Sequence, residues 1–302
     1  MAFEGVRPVL PVPFGQPPDE AVCAPELAAL TQRMVGLGVD GLVILGLASE
    51  AGTLREAERD EVLATTADAV AGRIPLVVGL DGATAVAVDR ARRAARLGAA
   101  GLMVLPPAAA RSTELLIAHV WAIADAADLP VLIQDSPQVT GLTLSVEAAA
   151  ALGRHPLVRS VKSEIPGAGP KTTALVDAGL EVVAGWGGLH YLDAIRRGAS
   201  GCMPGSDLGP AILAIDRLAR SGDPGGAEVL YRQILPLLAC EAASLDLLVL
   251  GAKRLLRRQR LFSSDRMRAP AAELDAVEAA AFDRCFEELE EAHVAGFQGR
   301  PT

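Results

Sequence analysis

The sequence predicts a (β/α)8 barrel, or TIM barrel, followed by a C-terminal helical extension. Eight short apolar runs, most of them closed by Gly or Pro, alternate with segments of helical spacing that are rich in Ala, Leu, Arg and Glu. The runs are apolar throughout, as expected for parallel strands that are buried on both faces. Eight such units precede residue 225 of the 302-residue chain. That number and size fit this barrel, for which about 250 residues is typical.

The predicted strands follow one another at regular intervals. They are RPVLPV from residue 7, GLVILG from 41, PLVVGL from 75, GLMVLPP from 101, LPVLIQD from 129, VRSVKSE from 158, EVVAGW from 181 and SGCMPG from 200. Helices are predicted between them, for example ELAALTQRMVGLG and VAVDRARRAARLG. A doubly wound open sheet is the structural alternative. The count of eight strands disfavours it, as does the lack of a GxGxxG motif after the first strand.

The pattern changes after residue 224. Two long segments that follow have apolar residues at three- and four-residue spacing, which is typical of helices. We therefore expect a barrel over residues 1–224 and a helical extension over 225–302. The extension is expected to pack on the barrel or on a neighbouring subunit.

The composition of the chain bears on its partners and its location. The formal net charge is −9, which disfavours nucleic acid as a partner. The cationic run KRLLRRQR, residues 253–260, is expected to be one solvated helix face. No apolar run approaches the about 20 residues of a membrane-spanning helix. The N-terminus lacks the apolar stretch of a signal peptide and the four cysteines form no CxxC pair, so a reduced, cytoplasmic protein is expected.

Lys162 and Glu164 are the strongest candidates for catalysis, in the stretch SVKSE of the sixth predicted strand. Residues two apart in a strand share one face. At the end of a barrel strand that face is the interior or the mouth, where active sites of this fold lie. Burial lowers the pKa of a lysine amine, and a neutral amine forms a Schiff base with a ketone. The alternative is a structural ion pair at the strand end.

Other candidates follow neighbouring strands. Ser49 is expected to bind a substrate carboxylate, to be the N-cap of the next helix, or both. Gln134 is expected to hydrogen-bond either the substrate or neighbouring backbone. Trp186 lies between glycines and is expected to wall the pocket, and Ser206 is expected to face the mouth. No cluster of His, Cys or carboxylate residues predicts a metal, and no cofactor is expected.

Four segments of the sequence together match the motif pattern of a known superfamily. They are GLVILGLASEAGTLREAER (41–59), PVLIQDSPQVTG (130–141), SVKSE (160–164) and GASGCMPGS (198–206). They resemble the dihydrodipicolinate synthase / N-acetylneuraminate lyase superfamily of class I, Schiff-base-forming lyases. The resemblance covers nearly the whole chain and implies that Lys162, at the end of strand six, forms the Schiff base with a 2-keto acid.

The chain departs from the best-known members of this superfamily in the proton relay. Those members carry Gly-Thr-Thr-Gly-Glu or Gly-Ser-Thr-Gly-Glu after strand two, where this chain has Gly-Leu-Ala-Ser-Glu at 46–50. They end strand five with Tyr-Asn, the tyrosine relaying protons, where this chain has Gln134-Asp135. A glutamine amide does not titrate. We therefore expect neither dihydrodipicolinate synthase nor sialic-acid lyase activity.

Further departures concern the mouth of the barrel. The arginine that binds the second substrate of the synthase corresponds to Val139. The aromatic pair after strand four corresponds to Ala108 and Ala109. Together with Leu47, these alanines predict a mouth that is more apolar than a sugar-acid site. This composition leaves room for a less polar 2-keto acid.

Three elements resemble a narrower branch, whose characterised type is L-2-keto-3-deoxyarabonate dehydratase. They are Ser-Glu after strand two, Gln-Asp-x-Pro after strand five and Lys-x-Glu in strand six. The resemblance implies loss of water from a 2-keto-3-deoxy acid, with Lys162 as the covalent amine and Glu164 as acid and base. The substrate-binding residues expected beside them are Ser49, Ala48, Gln134, Trp186 and Ser206.

Two other functions remain open. A pyruvate-dependent aldolase of the same superfamily uses the same iminium and enamine. A non-catalytic barrel that binds a keto acid belongs to a different class, and a mere binder has no need of both Lys162 and Glu164. Members of the superfamily are commonly tetramers built from dimers, so the resemblance implies a homo-oligomer, either a dimer or a tetramer.

Overall fold

The eight predicted strands form one closed, parallel sheet. The structure, a computed structural model, describes residues 3–16, 20–165 and 167–297. The strands are β1 (Gly5–Val6), β2 (Leu42–Ile44), β3 (Leu76–Leu80), β4 (Gly101–Val104), β5 (Val131–Asp135), β6 (Val158–Ser163), β7 (Glu181–Ala184) and β8 (Gly201–Cys202). Their order is β1-β8-β7-β6-β5-β4-β3-β2, and a parallel bridge from Val9 to Val43 closes the circle. The predicted (β/α)8 barrel is confirmed.

Helices alternate with the strands and continue after the last one. They are α1 (Ala24–Leu37), α2 (Glu56–Val70), α3 (Thr84–Arg96), α4 (Thr113–Ala127), α5 (Pro137–Thr140), α6 (Val146–Leu152), α7 (Gly169–Asp177), α8 (Tyr191–Arg196), α9 (Gly209–Arg220), α10 (Pro224–Glu241), α11 (Leu245–Arg258) and α12 (Ala276–Glu291). None of the described helices has the length and apolar composition needed to cross a membrane. The division of the chain at residue 224 stays a prediction.

The first strand is shorter than its apolar run. The run was predicted to begin at Arg7, whereas β1 ends at Val6. Pro8 and Pro11 have no N–H and so interrupt the ladder of hydrogen bonds. Val9 and Leu10 still donate their N–H groups, to the carbonyls of Pro204 and Val43. These two bonds hold the segment between β8 and β2, where it completes the barrel.

An apolar layer fills the barrel interior below the site. Its members are Phe3, Val9, Val43, Val77, Met103, Leu132, Val183 and Met203. Alternate residues of a strand share a face, so Gln134, two residues after Leu132, also points inward. Lys162 is the register partner of Gln134 on β6. Both side chains therefore lie above the apolar layer, at the carboxyl ends of the strands.

Lys253 on α11 corrects one prediction from the sequence. The run 253–260 was expected to be a solvated helix face, but the Lys253 side chain is fully buried. It forms an ion pair with Glu50, and its Nζ donates to the carbonyl of Arg266 at 2.8 Å. Burial lowers the pKa of this lysine, and the Glu50 carboxylate opposes that shift. Helix α11 is thus anchored in the protein by one end of its cationic run.

Asp207 and Glu241 form a second buried polar contact, between the loop after β8 and the end of α10. Both side chains are buried, and Asp207 Oδ2 and Glu241 Oε1 have no hydrogen-bond donor within the described part of the chain. Burial raises the pKa of both groups, and the charge of Asp207 raises that of Glu241 further. The native state therefore binds more protons than the unfolded chain, and its stability falls as the pH rises above the ordinary glutamate range.

We expect Glu241→Gln to remove most of this pH dependence, because the amide has nearly the same shape as the carboxyl group and does not titrate. We compare the free energy of unfolding of the variant with that of wild type at each pH. The difference, variant minus wild type, should be at least about 1 kcal/mol larger at about pH 8 than at about pH 5, since one pKa unit corresponds to about 1.4 kcal/mol. Urea unfolding at both pH values measures this difference. Glu61→Gln, which changes an exposed carboxyl on α2, is the control. Equal pH dependence of the free energy of unfolding in wild type and in both variants would contradict a raised pKa of Glu241 in the native state.

Candidate active site

Lys162 and Glu164 are in contact at the carboxyl end of β6. The Lys162 Nζ lies 2.9 Å from Glu164 Oε1, and the two side chains are only 4% and 6% exposed. Glu164 is the first residue after β6, and its N–H donates to the carbonyl of Asp135 at 3.0 Å. The hydrogen bonds between β5 and β6 thus continue one residue beyond β6, and the Glu164 carboxylate points back toward the Lys162 amine. The geometry places both residues in one buried site, and their catalytic roles remain predictions.

The Glu164 carboxylate has a complete set of donors. Gln134 Nε2 donates to Oε2 at 2.7 Å, and the N–H of Trp186 donates to Oε1 at 3.3 Å. Burial alone would raise the pKa of this carboxyl, but the Lys162 ammonium and these hydrogen bonds lower it below its ordinary value. Gln138 adds a bond at 2.7 Å to the backbone carbonyl of Glu164. These contacts fix the Glu164 carboxylate in position and favour its ionised form.

Gly185 provides the space that this contact needs. A Cβ atom at this position would lie 2.4 Å from Cγ of Glu164 and 2.8 Å from Cε of Lys162. Both distances are far below van der Waals contact. At Gly185 the close neighbours are therefore the two candidate catalytic side chains.

Trp186 closes a small niche over the lysine. The niche has a volume of about 20 Å³. Five of the side chains that line it were predicted from the sequence: Lys162, Glu164, Gln134, Ala48 and Trp186. The backbone of Trp186 has a φ of 50°, which a bulky residue adopts only when its surroundings enforce it. Its indole Nε1 donates to the carbonyl of Ala242 at 3.0 Å, so the end of α10 fixes the ring.

Two predicted binding residues lie outside the lining of the niche. Ser49 is fully buried and its hydroxyl donates to the carbonyl of Leu10 at 2.7 Å. Helix α2 begins only at Glu56, so Ser49 is not its N-cap. Ser206 is also buried, next to Gly205 of the lining, and its hydroxyl has no partner within the described part of the chain. Substrate contacts for both serines remain predictions.

A larger chamber of about 220 Å³ adjoins the niche. The two cavities share Leu47, Gln134 and Leu245 as lining residues. The chamber lies between the loops after β2 and β3 and the segment 245–270 of the C-terminal region. The sequence analysis missed it, because its walls come from segments that lie about 200 residues apart in a chain of 302. The exposed residues Ala108 and Ala109, expected to line an apolar mouth, are not among its lining residues.

The loop over residues 46–53, which carries Leu47 and Ala48, is held by the C-terminal region. Glu50 has a φ of 53° and accepts the backbone N–H of Arg268 at 2.9 Å, besides its ion pair with Lys253. The Arg268 guanidinium donates to the carbonyl of Thr53 at 3.2 Å. A buried lysine and a half-buried arginine of the C-terminal region thus fix this turn of the barrel. Neither contact was predicted from the sequence.

The described residues contain no group of three or more His, Cys, Asp or Glu side chains that could hold a metal ion. Besides the Trp186 indole, whose N–H is bonded to Ala242, the polar side-chain groups that line the niche are the Lys162 amine, the Glu164 carboxylate and the Gln134 amide. These groups can bind a carbonyl compound, transfer a proton and form a covalent imine.

Comparison with known proteins places the chain in a family. Residues 2–289 match the model of the dihydrodipicolinate synthetase family. The chain belongs to this family. Members of the family are lyases that act on small keto acids and are commonly oligomeric, and we assign the same reaction class to this chain. The number of subunits and the cytoplasmic location remain predictions.

Individual relatives extend this result. The chain is 33% identical over 280 residues to L-2-keto-3-deoxyarabonate dehydratase of Azospirillum brasilense, with 89% of each chain covered. It is 35% identical over 216 residues to 4-hydroxy-tetrahydrodipicolinate synthase of Stenotrophomonas maltophilia, covering 70% of this chain and 71% of that protein. The crystal structure of dihydrodipicolinate synthase from Rhodopseudomonas palustris superimposes with a TM-score of 0.88 at 24% identity, covering 95% and 98% of the two chains. That likeness is one of fold.

We expect Gly185→Ala to destabilise the protein, because the added methyl group must displace Glu164 or Lys162. Overpacking of this kind costs about 1–3 kcal/mol. Urea unfolding measures the change. The matched control is Gly36→Ala on α1, where a Cβ meets no atom within 4 Å and the better helix former should be neutral or stabilising. Equal midpoints for the two variants would show that the site is not packed as described.

Proposed function

We propose that this protein is a Schiff-base-forming lyase that removes water from a 2-keto-3-deoxy acid. The observation that carries the proposal is the buried contact between the Lys162 amine and the Glu164 carboxylate at the mouth of the barrel. Lys162 is the covalent amine and Glu164 the acid and base. The niche supplies the substrate contacts, with the substrate carboxylate against the turn of Leu47 and Ala48.

The first half of the reaction forms an iminium ion. Glu164, 2.9 Å from the Lys162 Nζ, takes up a proton from the ammonium and so frees its lone pair. The amine adds to C2 of the keto acid. The C2 oxygen takes one proton from the attacking nitrogen and one from Glu164 and leaves as water, which returns Glu164 to its carboxylate form. The product is an iminium between Lys162 and C2, which draws electrons from the neighbouring C3.

The second half eliminates the C4 hydroxyl. The Glu164 carboxylate removes a proton from C3, and the C3–H electrons form the C2–C3 bond of an enamine while nitrogen becomes neutral. The nitrogen lone pair of the enamine then restores the iminium, and the C2–C3 π electrons form a C3–C4 double bond. Hydroxide leaves C4 and combines with the proton of Glu164 to give water. Hydrolysis of the iminium releases an unsaturated 2-keto acid and regenerates both side chains.

No tyrosine of this chain is available as a proton relay. The sequence contains two tyrosines, Tyr191 and Tyr231, and both hydroxyls are engaged elsewhere. Tyr191 donates to Asp216 at 2.5 Å, and Tyr231 donates to the carbonyl of Leu189. Burial raises the pKa of Tyr231 to about 12 and raises that of Tyr191 as well. A second copy of the chain would offer the same two tyrosines, so the carboxylate of Glu164 is left as the group that moves protons.

The dehydratase from Azospirillum brasilense supports dehydration, because it matches this chain over 89% of both lengths. A pyruvate-dependent aldolase is the second candidate. The relatives include a synthase, a name that indicates condensation, and the iminium and enamine are common to both reactions. A non-catalytic keto-acid binder is the third. The following two experiments separate these three functions.

We expect borohydride to trap pyruvate covalently on Lys162. The chain has only three lysines, so peptide mapping assigns the adduct without ambiguity. Lys162→Arg should abolish the adduct, because arginine stays protonated and forms no Schiff base. Lys171→Arg is the matched control, since Lys171 is ion-paired to Asp135 and lies outside the niche lining. A folded wild-type protein that gives no adduct with any keto acid would favour the non-catalytic binder.

We expect Glu164→Gln to form the trapped adduct and yet to lose turnover by about 10²–10⁴-fold, the usual contribution of a general acid or base. The measurement is product analysis by mass spectrometry with 4-hydroxy-2-keto acids as substrates. An unsaturated keto acid identifies a dehydratase, whereas pyruvate and an aldehyde identify an aldolase. Undiminished turnover in the variant would remove Glu164 from the mechanism.

A further inference from the structure

The chamber beside the niche determines which part of a substrate it can hold. The niche of about 20 Å³ has room for only the reacting end of a keto acid. The chamber of about 220 Å³, which shares Leu47 and Leu245 with the niche, has space for the remainder of the substrate. Most of the chamber wall is hydrocarbon. Its apolar lining side chains include Leu45, Leu47, Leu80, Leu105, Val249 and Met267.

The polar side chains on one side of the chamber already have protein partners. Glu50 is paired with Lys253 and with the N–H of Arg268. The Thr53 hydroxyl donates to the carbonyl of Glu50 at 2.9 Å. Gln134 donates to Glu164 at 2.7 Å. A substrate hydroxyl that enters here would have to compete with bonds that hold the site together.

The other side of the chamber has the same character. Asp81 is ion-paired with Arg59 and Arg90. Asp246 accepts the backbone N–H of Ala272 at 3.2 Å. The Arg268 guanidinium is bound to Glu58 and to two backbone carbonyls. Asp81 and Arg268 are thus ion-paired within the protein, whereas Asp246 has only a backbone N–H as its partner among the described residues. The leucines form most of the remaining surface that faces a ligand.

We propose that the chamber accepts an apolar group, so the substrate is a 4-hydroxy-2-keto acid that carries an alkyl or aryl group beyond C4. The inference rests on the proposed Schiff-base function and refines its substrate class. A polyhydroxy tail would lose its hydrogen bonds to water without gaining new ones, which is costly, whereas an alkyl tail loses none. The expected substrate therefore differs from the sugar acid in the name of the dehydratase relative.

Matched six-carbon acids test this inference. The reactive pair is 4-hydroxy-2-ketohexanoate and 2-keto-3-deoxygluconate, with 4-hydroxy-2-keto-4-phenylbutanoate as the aromatic probe. We expect kcat/KM at least about tenfold higher for the apolar acids, since a single methylene in a fitting pocket discriminates by about 10–200-fold. A preference for the polyhydroxy acid, with the pyruvate adduct on Lys162 intact, would overturn the chamber assignment and leave the lyase function standing.

A binding assay measures the ligand preference of the chamber independently of the Schiff-base reaction. 2-Hydroxyhexanoate and gluconate have the same carbon number and no ketone, so neither forms a Schiff base. Calorimetry should give tighter binding of 2-hydroxyhexanoate. If no adduct forms in any reaction but this preference holds, the lyase function falls and the chamber assignment stands. Equal or tighter binding of gluconate overturns the chamber assignment in every case.

One substitution changes polarity at nearly constant shape. Val249→Thr places a hydroxyl in the chamber wall on α11, and Val229→Thr makes the same change at an exposed position of α10. We expect Val249→Thr to reduce the preference for 2-hydroxyhexanoate by about fivefold or more, and Val229→Thr to leave it unchanged. Leu105→Asn provides a second chamber variant if Val249→Thr fails to fold. Equal preferences in chamber and control variants would contradict the proposal.

Discussion

The structure is organised around two opposite charges that are kept out of water. Moving an ammonium and a carboxylate into a protein interior costs several kcal/mol for each ion, and the pair regains this only with good geometry and further hydrogen bonds. Lys162 and Glu164 have both: a 2.9 Å contact, an amide from Gln134 and a backbone N–H from Trp186. Gly185 leaves the space, and the apolar layer below prevents solvation. Each of these neighbours can be understood as a condition for the buried pair.

Several parts of this arrangement were predictable from the sequence, because they depend on local periodicity. The eight apolar runs defined the barrel, and the two-residue repeat of a strand placed Lys162 and Glu164 on one face. The run 253–260 shows the limit of such reasoning. Its spacing is that of a surface helix, yet Lys253 is fully buried because Glu50, about 200 positions earlier, provides its counter-ion. A partner so distant in sequence leaves no periodic signal.

Serines show the same limit. Ser49 follows β2 as a binding residue would, but its hydroxyl is used to bind the carbonyl of Leu10. Backbone carbonyls are present everywhere, so a sequence does not reveal which of them a hydroxyl will meet. The chamber is similar, since five separated parts of the chain contribute to its walls. What the sequence indicates well is the chemistry of the niche, and what it indicates poorly is the surface that selects among substrates.

The clamp of Glu50 by Lys253 and the backbone of Arg268 has a consequence for evolution. Barrel enzymes diversify largely by exchanging the loops at the carboxyl ends of their strands. Here the loop over residues 46–53 is not an independent unit, because its charge is neutralised from the far end of the chain. Recombination that replaces this loop alone would leave the buried Lys253 without a counter-ion. Loop and C-terminal segment are therefore expected to be inherited together, as one heritable unit split across the gene.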